Sequence, residues 1–386
     1  METNAYHIPP PSPVKKTKTR WILVISSLLF AGVTVFLYAF FMTDFFKQEQ
    51  MAPANFSAIL KEDEAFKFAI ENIRSGKVVE GRNALEDNIA NIQQPEIIGV
   101  YQLWIANSFR FEDPKQYAQK MTSVATGPLF DKRTRLYAYA FLGDFYSAAP
   151  GNEVLDIIVN EESLKAFQAR NIDGSLNYRL TFSTILQNAT QTLGDNPLVL
   201  ARTASIVLGG LRSGDKSVQD VFSLSDIDTM IARAIPLEND LFQTDTQPLY
   251  SSYIFLLAQV VGGAKLEARG QSLATIDTLN IGDLYTRAIN TSSTGNKPIE
   301  ASARINYVVY LIENYEQNGE NKEGVLEKIA ELMKRFEQDN AFQDTPVIQF
   351  FVSAKSRGDS FSYKKMQKIA EYSTVFADLM KSKGAL

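Results

Sequence analysis

The chain has 386 residues, 45% of them hydrophobic, with 25 Phe and 16 Tyr, enough for one large folded domain or two to three ordinary ones. Net charge is −5 but uneven: Lys15, Lys16, Lys18 and Arg20 against Glu2 make the first twenty residues +3, leaving −8 for the rest, which argues against nucleic acid as a partner because phosphate neutralisation needs clustered Lys and Arg. With no cysteine and a single histidine, His7, the chain beyond its tail lacks the groups for disulfides, Cys-His or Ser-His-Asp catalysis and most zinc sites, so no cofactor, metal ligand or catalytic residue is expected.

Residues 1–20 carry proline at four of the five positions 9–13 and read as a disordered cytoplasmic tail. A charge-free run of 22 residues follows, from Trp21 to Met42. As a helix it is roughly 33 Å long, matching a bilayer core of about 30 Å. A cleavable signal has an apolar region of about 7–15 residues closed by small side chains. Here the run exits through FLYAFFMTDFFKQEQ, and the first small-x-small pattern, Ala52-Pro53-Ala54, lies beyond Asp44, Lys47 and Glu49. A soluble core helix rarely stays uncharged for about six turns, so residues 21–43 are expected to be a retained transmembrane helix limited by Trp21 and Met42. The positive-inside rule applied to Lys15, Lys16, Lys18 and Arg20 keeps the N-terminus cytoplasmic and exports everything after the span. Residues 44–55 read as a linker.

From residue 56 onward the periodicity is helical. Leu136, Tyr139, Ala140, Gly143 and Tyr146 form one stripe, Val325, Ile329, Leu332, Met333 and Phe336 a second, and Ile369, Tyr372, Phe376, Leu379 and Met380 a third. These spacings line one face of a 3.6-residue helix, and sustained strand alternation is absent from the pattern. The exported part, 56–386, is therefore expected to be all-α. Pro114, Pro197 and Pro346 follow capping residues and predict helix starts there. Pro197, Pro248, Pro298 and Pro346 lie 51, 50 and 48 residues apart, each opening an apolar helix expected to stop at a glycine signal, the first at Gly209-Gly210. Second helices echo as well: IDTMIARAI from Ile227, IGDLYTRAI from Ile281 and IAELMKRF from Ile329. Spacing and motif together predict a repeat of about fifty residues built from helical hairpins that bury their apolar faces by stacking.

Two stretches carry a family resemblance. LYAYAFLGDFY, with Tyr139, Leu142-Gly143 and Tyr146, resembles the first helix of a tetratricopeptide repeat, and RSGKVVEGRNALEDNIANIQQP (74–95) resembles the turn and second helix. The departures are Leu155 at the second-helix alanine position, a missing closing proline and a C-terminal period near fifty. The resemblance implies an α-solenoid, either one superhelix or two lobes at 56–190 and 197–386. The layout of short tail, single span and exported helical repeats also resembles the membrane-anchored ancillary subunit of the bacterial Sec translocon.

Other motifs have plainer readings. IVLGGLRSGDKS (206–217) approaches a phosphate loop, but Asp215 stands between Gly214 and Lys216, where a Walker lysine would directly follow glycine; a turn through Ser213-Gly214-Asp215 is expected instead. Ser213-x-x-Lys216 and Ser362-x-x-Lys365 fit a penicillin-binding spacing without its downstream Lys-Thr-Gly and read as surface pairs. Glu371, in IAEYSTVF, faintly resembles a transglycosylase Glu-Ser stretch without the accompanying glycine pattern. Tyr101, Trp104, Phe109 and Phe111, and Tyr307, Tyr310 and Tyr315, are expected to be core, with a sugar- or peptide-stacking groove as the sharper option. The runs KEDE (61–64) and ENYEQNGENKEG (313–324) read as solvated face and turn.

The expectation is thus a single-pass cell-membrane protein, bound to the bilayer by one helix, whose extracytoplasmic helical repeats act as a protein-binding scaffold or assembly factor rather than an enzyme. Alternatives are a passive envelope component, or a cell-wall glycan-binding or carboxylate-based glycosidase module, since glycosidases need only Asp and Glu.

Overall fold

Capping side chains set where the helices begin. Asp113 accepts from the Gln116 N–H ahead of Pro114, and Asn196 accepts from the N–H groups of Leu198 and Val199 ahead of Pro197. Each satisfies amide donors that a helix N-terminus leaves without partners. Helices begin as expected at Pro114, Pro197 and Pro346. The structure, a computed structural model, describes residues 63–74, 77–148, 151–242, 247–293, 297–319, 321–356 and 358–386. The expected tail, the span limits Trp21 and Met42, the basic set Lys15, Lys16, Lys18 and Arg20, and the linker all lie outside the described residues.

In chain order the α-helices are α1 (Glu64–Arg74), α2 (Val78–Ile89), α3 (Pro95–Ser108), α4 (Pro114–Thr126), α5 (Lys132–Ser147), α6 (Asn152–Val159), α7 (Tyr178–Leu193), α8 (Pro197–Ser213), α9 (Lys216–Gln219) and α10 (Leu224–Ala234). They continue as α11 (Glu238–Phe242), α12 (Gln247–Ala268), α13 (Ile281–Ser292), α14 (Lys297–Asn318), α15 (Lys322–Gln338), α16 (Asn340–Gln343), α17 (Pro346–Val352), α18 (Ser360–Tyr372) and α19 (Thr374–Ser382). Among the described residues there is no β-strand, only an isolated bridge between Arg170 and Leu176. The chain is all-α, and these helices belong to one compact unit, Phe56–Leu386.

The packing is sequential. α1 packs on α2, α3 on α4, α8 on α10, α12 on α13 and α14 on α15. The leading helices also touch one another in order: α3 on α5, α5 on α8, α8 on α12, α12 on α14, and α14 on both α17 and α18. The echoed second-helix segments therefore occupy matching places, at α10, α13 and α15. Ile227, Met230, Ile231 and Ala234 of α10, and Ile281, Leu284, Tyr285, Ala288 and Ile289 of α13, are buried at those positions.

The glycine pair at 209–210 does not stop its helix. α8 runs through it to Ser213 and ends on Gly214, whose φ of +70° forms a left-handed cap. α12 likewise continues through Gly262-Gly263 to Ala268. At Gly210 a Cβ would lie 2.7 Å from Val218, and at Gly263 one would lie 2.8 Å from Leu208 of α8. The missing side chains let neighbouring backbones approach, which in both places outweighs the cost of glycine in a helix. The expected stop does occur at Gly319 after α14, with φ +68°.

The third stripe is two helices, not one. Ser373 ends α18 and caps α19 by accepting from the Phe376 N–H, so Ile369 and Tyr372 belong to one helix and Phe376, Leu379 and Met380 to the next. The Glu371-Ser373 stretch is accordingly a helix junction, with Glu371 exposed.

Among the described residues one segment, Leu249–Ala268 of α12, is long and apolar enough to cross a membrane, but 72% of its apolar window is buried by the rest of the protein. Tyr253, Ile254, Leu257, Val260, Val261 and Ala264 are at most 1% exposed, packed against α8, α10, α13 and α14. It is a core helix. It also carries no charge from Gln247 to Ala264, so an uncharged run of about five turns occurs here in a protein interior.

A candidate binding groove

Two adjoining depressions open along the leading helices. The first, about 450 Å³, is lined by Tyr146 and Ser147 at the end of α5, by Tyr178 and Arg179 at the start of α7, and by Ser205, Ile206 and Gly209 of α8. The second, about 220 Å³, is lined by Ser205, Gly209 and Arg212 of α8, Gln259 and Gly263 of α12, Asn306, Tyr310 and Glu313 of α14, and Lys365 of α18. Ser205 and Gly209 border both. A Cβ at Gly209 would meet nothing within 4 Å, so the ridge between the two depressions is low.

One face of α8 builds the floor. Arg202, Ser205, Gly209 and Arg212 recur at i, i+3, i+7 and i+10, which places them on a single stripe. Their opposite face, including Ala204 and Val207, is buried. The same logic sets the aromatic walls. Tyr146 stacks on Phe182 at 4.7 Å and Tyr285 on Tyr307 at 4.9 Å, contacts that fix ring orientation. Burial pushes the Tyr146 hydroxyl above its ordinary range against the pull of Arg179. Burial, with a hydrogen bond to Asp156, pushes the Tyr178 hydroxyl up to about 12. Both therefore remain neutral donors.

Ion pairs cross from one leading helix to the next. The Asp144 carboxylate of α5 receives Arg110 from beyond α3 at 2.6 Å and Arg202 of α8. Burial raises the Asp144 carboxyl, but the two guanidiniums outweigh it and hold the group below the usual carboxylate range. Arg179 donates to Ser213 Oγ at 2.7 Å and lies 3.6 Å from Asp215. Arg212 donates to Glu313 of α14 at 3.0 Å. Lys365 has its ammonium pKa lowered by burial and by Arg212, with Glu313 acting in the opposite sense.

Most sequence-level candidates fall outside this groove or enter it in another role. Asp215 caps α9 by accepting from the Val218 N–H at 3.4 Å and faces Asn177 and Arg179, so the approximate phosphate loop is the expected turn. Ser213 donates to the Gly210 carbonyl, while Lys216 is exposed. Ser362 is 5% exposed, whereas Lys365 lines the second depression rather than lying on an open surface as expected. Tyr101, Phe109 and Tyr307 are core, Phe111 is 91% exposed, and Tyr310 alone of the two aromatic sets lines the groove.

The charged runs are more than solvated face. Asp63 accepts from the Tyr101 hydroxyl at 2.6 Å and caps α1. Glu313 and Glu316 reach Arg212 and Lys368 on other helices. Sequence reasoning missed Arg110, Asp144, Arg179 and Arg202. The separations of these ion pairs, 58 residues for Arg202–Asp144 and 101 for Arg212–Glu313, leave no local pattern to read. No family model, curated protein or solved structure matches the chain.

Proposed function

We propose that the chain is a single-pass, membrane-anchored extracytoplasmic protein whose stacked helical hairpins form an α-solenoid of tetratricopeptide-like character. It acts as a scaffold or assembly factor that binds another protein along the groove. The observation that carries this reading is the pair of adjoining depressions that share Ser205 and Gly209 and are lined from α5, α7, α8, α12, α14 and α18. Stacked helical pairs produce extended surfaces of this kind, suited to a peptide or a helix. The sequential contacts of leading helices support the solenoid, and the uncharged run 21–42 with its flanking lysines supports the anchor.

A photo-crosslinking amino acid at Ser205 or Gln259, with a control at the exposed Glu337 of α15, tests the binding reading in intact cells. Discrete protein adducts at the groove and none at the control are expected. Capture of cell-wall glycan alone, or the same adducts from all three positions, would refute it.

A further inference from the structure

Resting on the protein-binding reading, we propose that the second depression docks a polyproline II segment of the partner across three leading helices, donating hydrogen bonds to its carbonyl oxygens rather than reading charge. Ser205 of α8, Gln259 of α12 and Asn306 of α14 line that depression, and they stand at one level. A Cβ at Gly263 of α12 would lie 2.8 Å from Leu208 of α8, and one at Gly262 would lie 3.2 Å from Tyr310 of α14. Ser205, Gln259 and Asn306 each precede those contact points by about one helical turn. They therefore form a row that crosses α8, α12 and α14 in order.

The row holds uncommitted hydrogen-bonding capacity. Ser205 and Gln259 are half-buried and have no hydrogen-bond partner among the described residues. Asn306 spends one amide N–H on the Ser302 carbonyl at 2.8 Å and keeps the other. Tyr285 lines the same depression although it is only 2% exposed. Its ring is held by stacking on Tyr307, burial keeps its hydroxyl protonated, and no described residue accepts from it. A buried polar group without a partner is costly, and a docked carbonyl removes that cost. Charge gathers further along the helices, where Arg212 donates to Glu313 at 3.0 Å and Lys365 lies within electrostatic reach of both.

Spacing selects the conformation. Packed helices lie about 8–10 Å apart, so the row presents donors at that interval over about 16–20 Å. A polyproline II helix repeats every three residues, about 9.3 Å, and its carbonyls have no internal partners. Two of its turns, six or seven residues, match the row. A β-strand returns to the same face every two residues, about 6.7 Å, and falls out of step at the second helix. The tyrosines along the path, Tyr146 and Tyr178 in the first depression and Tyr310 in the second, suit the flat faces of proline rings.

The test uses the full chain purified in detergent and fluorescein-labelled peptides without charged side chains: oligoprolines of three to twelve residues, and Gly/Ser peptides of the same lengths. Oligoproline is expected to bind about tenfold tighter than the Gly/Ser peptide of equal length, because its conformation is already set. Its affinity should rise up to six or seven residues, then level off, and be indifferent to added salt. Gln259→Met and Tyr285→Phe keep side-chain length and ring stacking. Each should weaken oligoproline binding about fivefold, the worth of one net hydrogen bond, without loss of helix content or a lower thermal midpoint. Gln338→Met at an exposed position of α15 should have no effect. Absence of oligoproline binding, equal affinity for Gly/Ser peptides, no dependence on length, or unchanged affinity in both groove variants would overturn the proposal. So would binding of chitotetraose with none of the peptides. If Ser205 still crosslinks a protein in cells under any of those outcomes, the scaffold reading stands and only the polyproline inference falls.

Discussion

Adjacent glycines on α8 should respond to the same substitution with opposite sign. In an exposed helix interior Gly→Ala is worth about 1 kcal/mol in favour of alanine. At Gly209 a new Cβ meets nothing within 4 Å, so Gly209→Ala should gain most of that. At Gly210 the new Cβ would lie 2.7, 2.9 and 2.9 Å from Cγ1, Cβ and Cγ2 of Val218. Val218 is fully buried and β-branched, and side-chain rotation leaves its own Cβ in place at 2.9 Å, so it cannot rotate aside. Overpacking of this kind costs about 1–3 kcal/mol. The upper part of that range, less the propensity gain, leaves Gly210→Ala destabilised by about 1–2 kcal/mol.

Thermal unfolding followed by circular dichroism is the assay. At roughly 2 °C per kcal/mol for a domain of this size, Gly209→Ala should raise the midpoint by about 2 °C and Gly210→Ala should lower it by about 2–4 °C. Val218→Ala in the Gly210→Ala background removes both Cγ atoms and should recover at least about 1 kcal/mol as a favourable coupling. Shifts of the same sign for the two alanine variants, or no coupling to Val218, would refute the account of α8 as a continuous helix whose second glycine makes room for a neighbour.

Asp144→Asn should destabilise by about 2–3 kcal/mol, because it leaves two guanidiniums facing each other without their carboxylate. Since the folded pKa of Asp144 lies below its ordinary 3.8, its contribution is present above that pH and is lost as pH falls through the folded value; acid unfolding of the wild type should show this loss and Asp144→Asn should not. Asp228→Ala removes an acceptor for the N–H groups of Thr275 (3.0 Å) and Ile276 (2.8 Å), for about 1–2 kcal/mol, and those two amides should lose protection in hydrogen exchange while α8 keeps its own. Replacing Lys15, Lys16, Lys18 and Arg20 with Glu should reduce export of a C-terminal alkaline phosphatase fusion; unchanged phosphatase activity would argue against orientation by these charges.

Much of the local structure was written in the sequence, because capping and periodicity are short-range effects. Asp113-Pro114 and Asn196-Pro197 mark helix starts through the unsatisfied amides of a first turn, and Val325 to Phe336 mark a buried face through their spacing alone. The prolines spaced about fifty residues apart were equally legible, since helices begin at or one residue before Pro197, Pro248, Pro298 and Pro346. Where two local meanings compete, sequence could not choose. Gly209-Gly210 reads as a stop until Val218 is known to lie against it, and the stripe from Ile369 to Met380 reads as one helix until Ser373 is seen capping α19. The uncharged length of α12 has the same ambiguity, resolved by the helices packed around Tyr253 and Val261.

The sequence by itself determined the helical class, the helix starts at Pro114, Pro197 and Pro346 and the absence of His and Cys beyond the tail, because these are properties of single residues and of neighbours a turn away. Tertiary structure alone decided that Arg110 and Arg202 meet at Asp144, and that Arg212, Glu313 and Lys365 line one depression. Charges 58 and 101 residues apart meet only after the leading helices have stacked, and the stacking is driven by burial of apolar faces that carry no record of which charges they bring together.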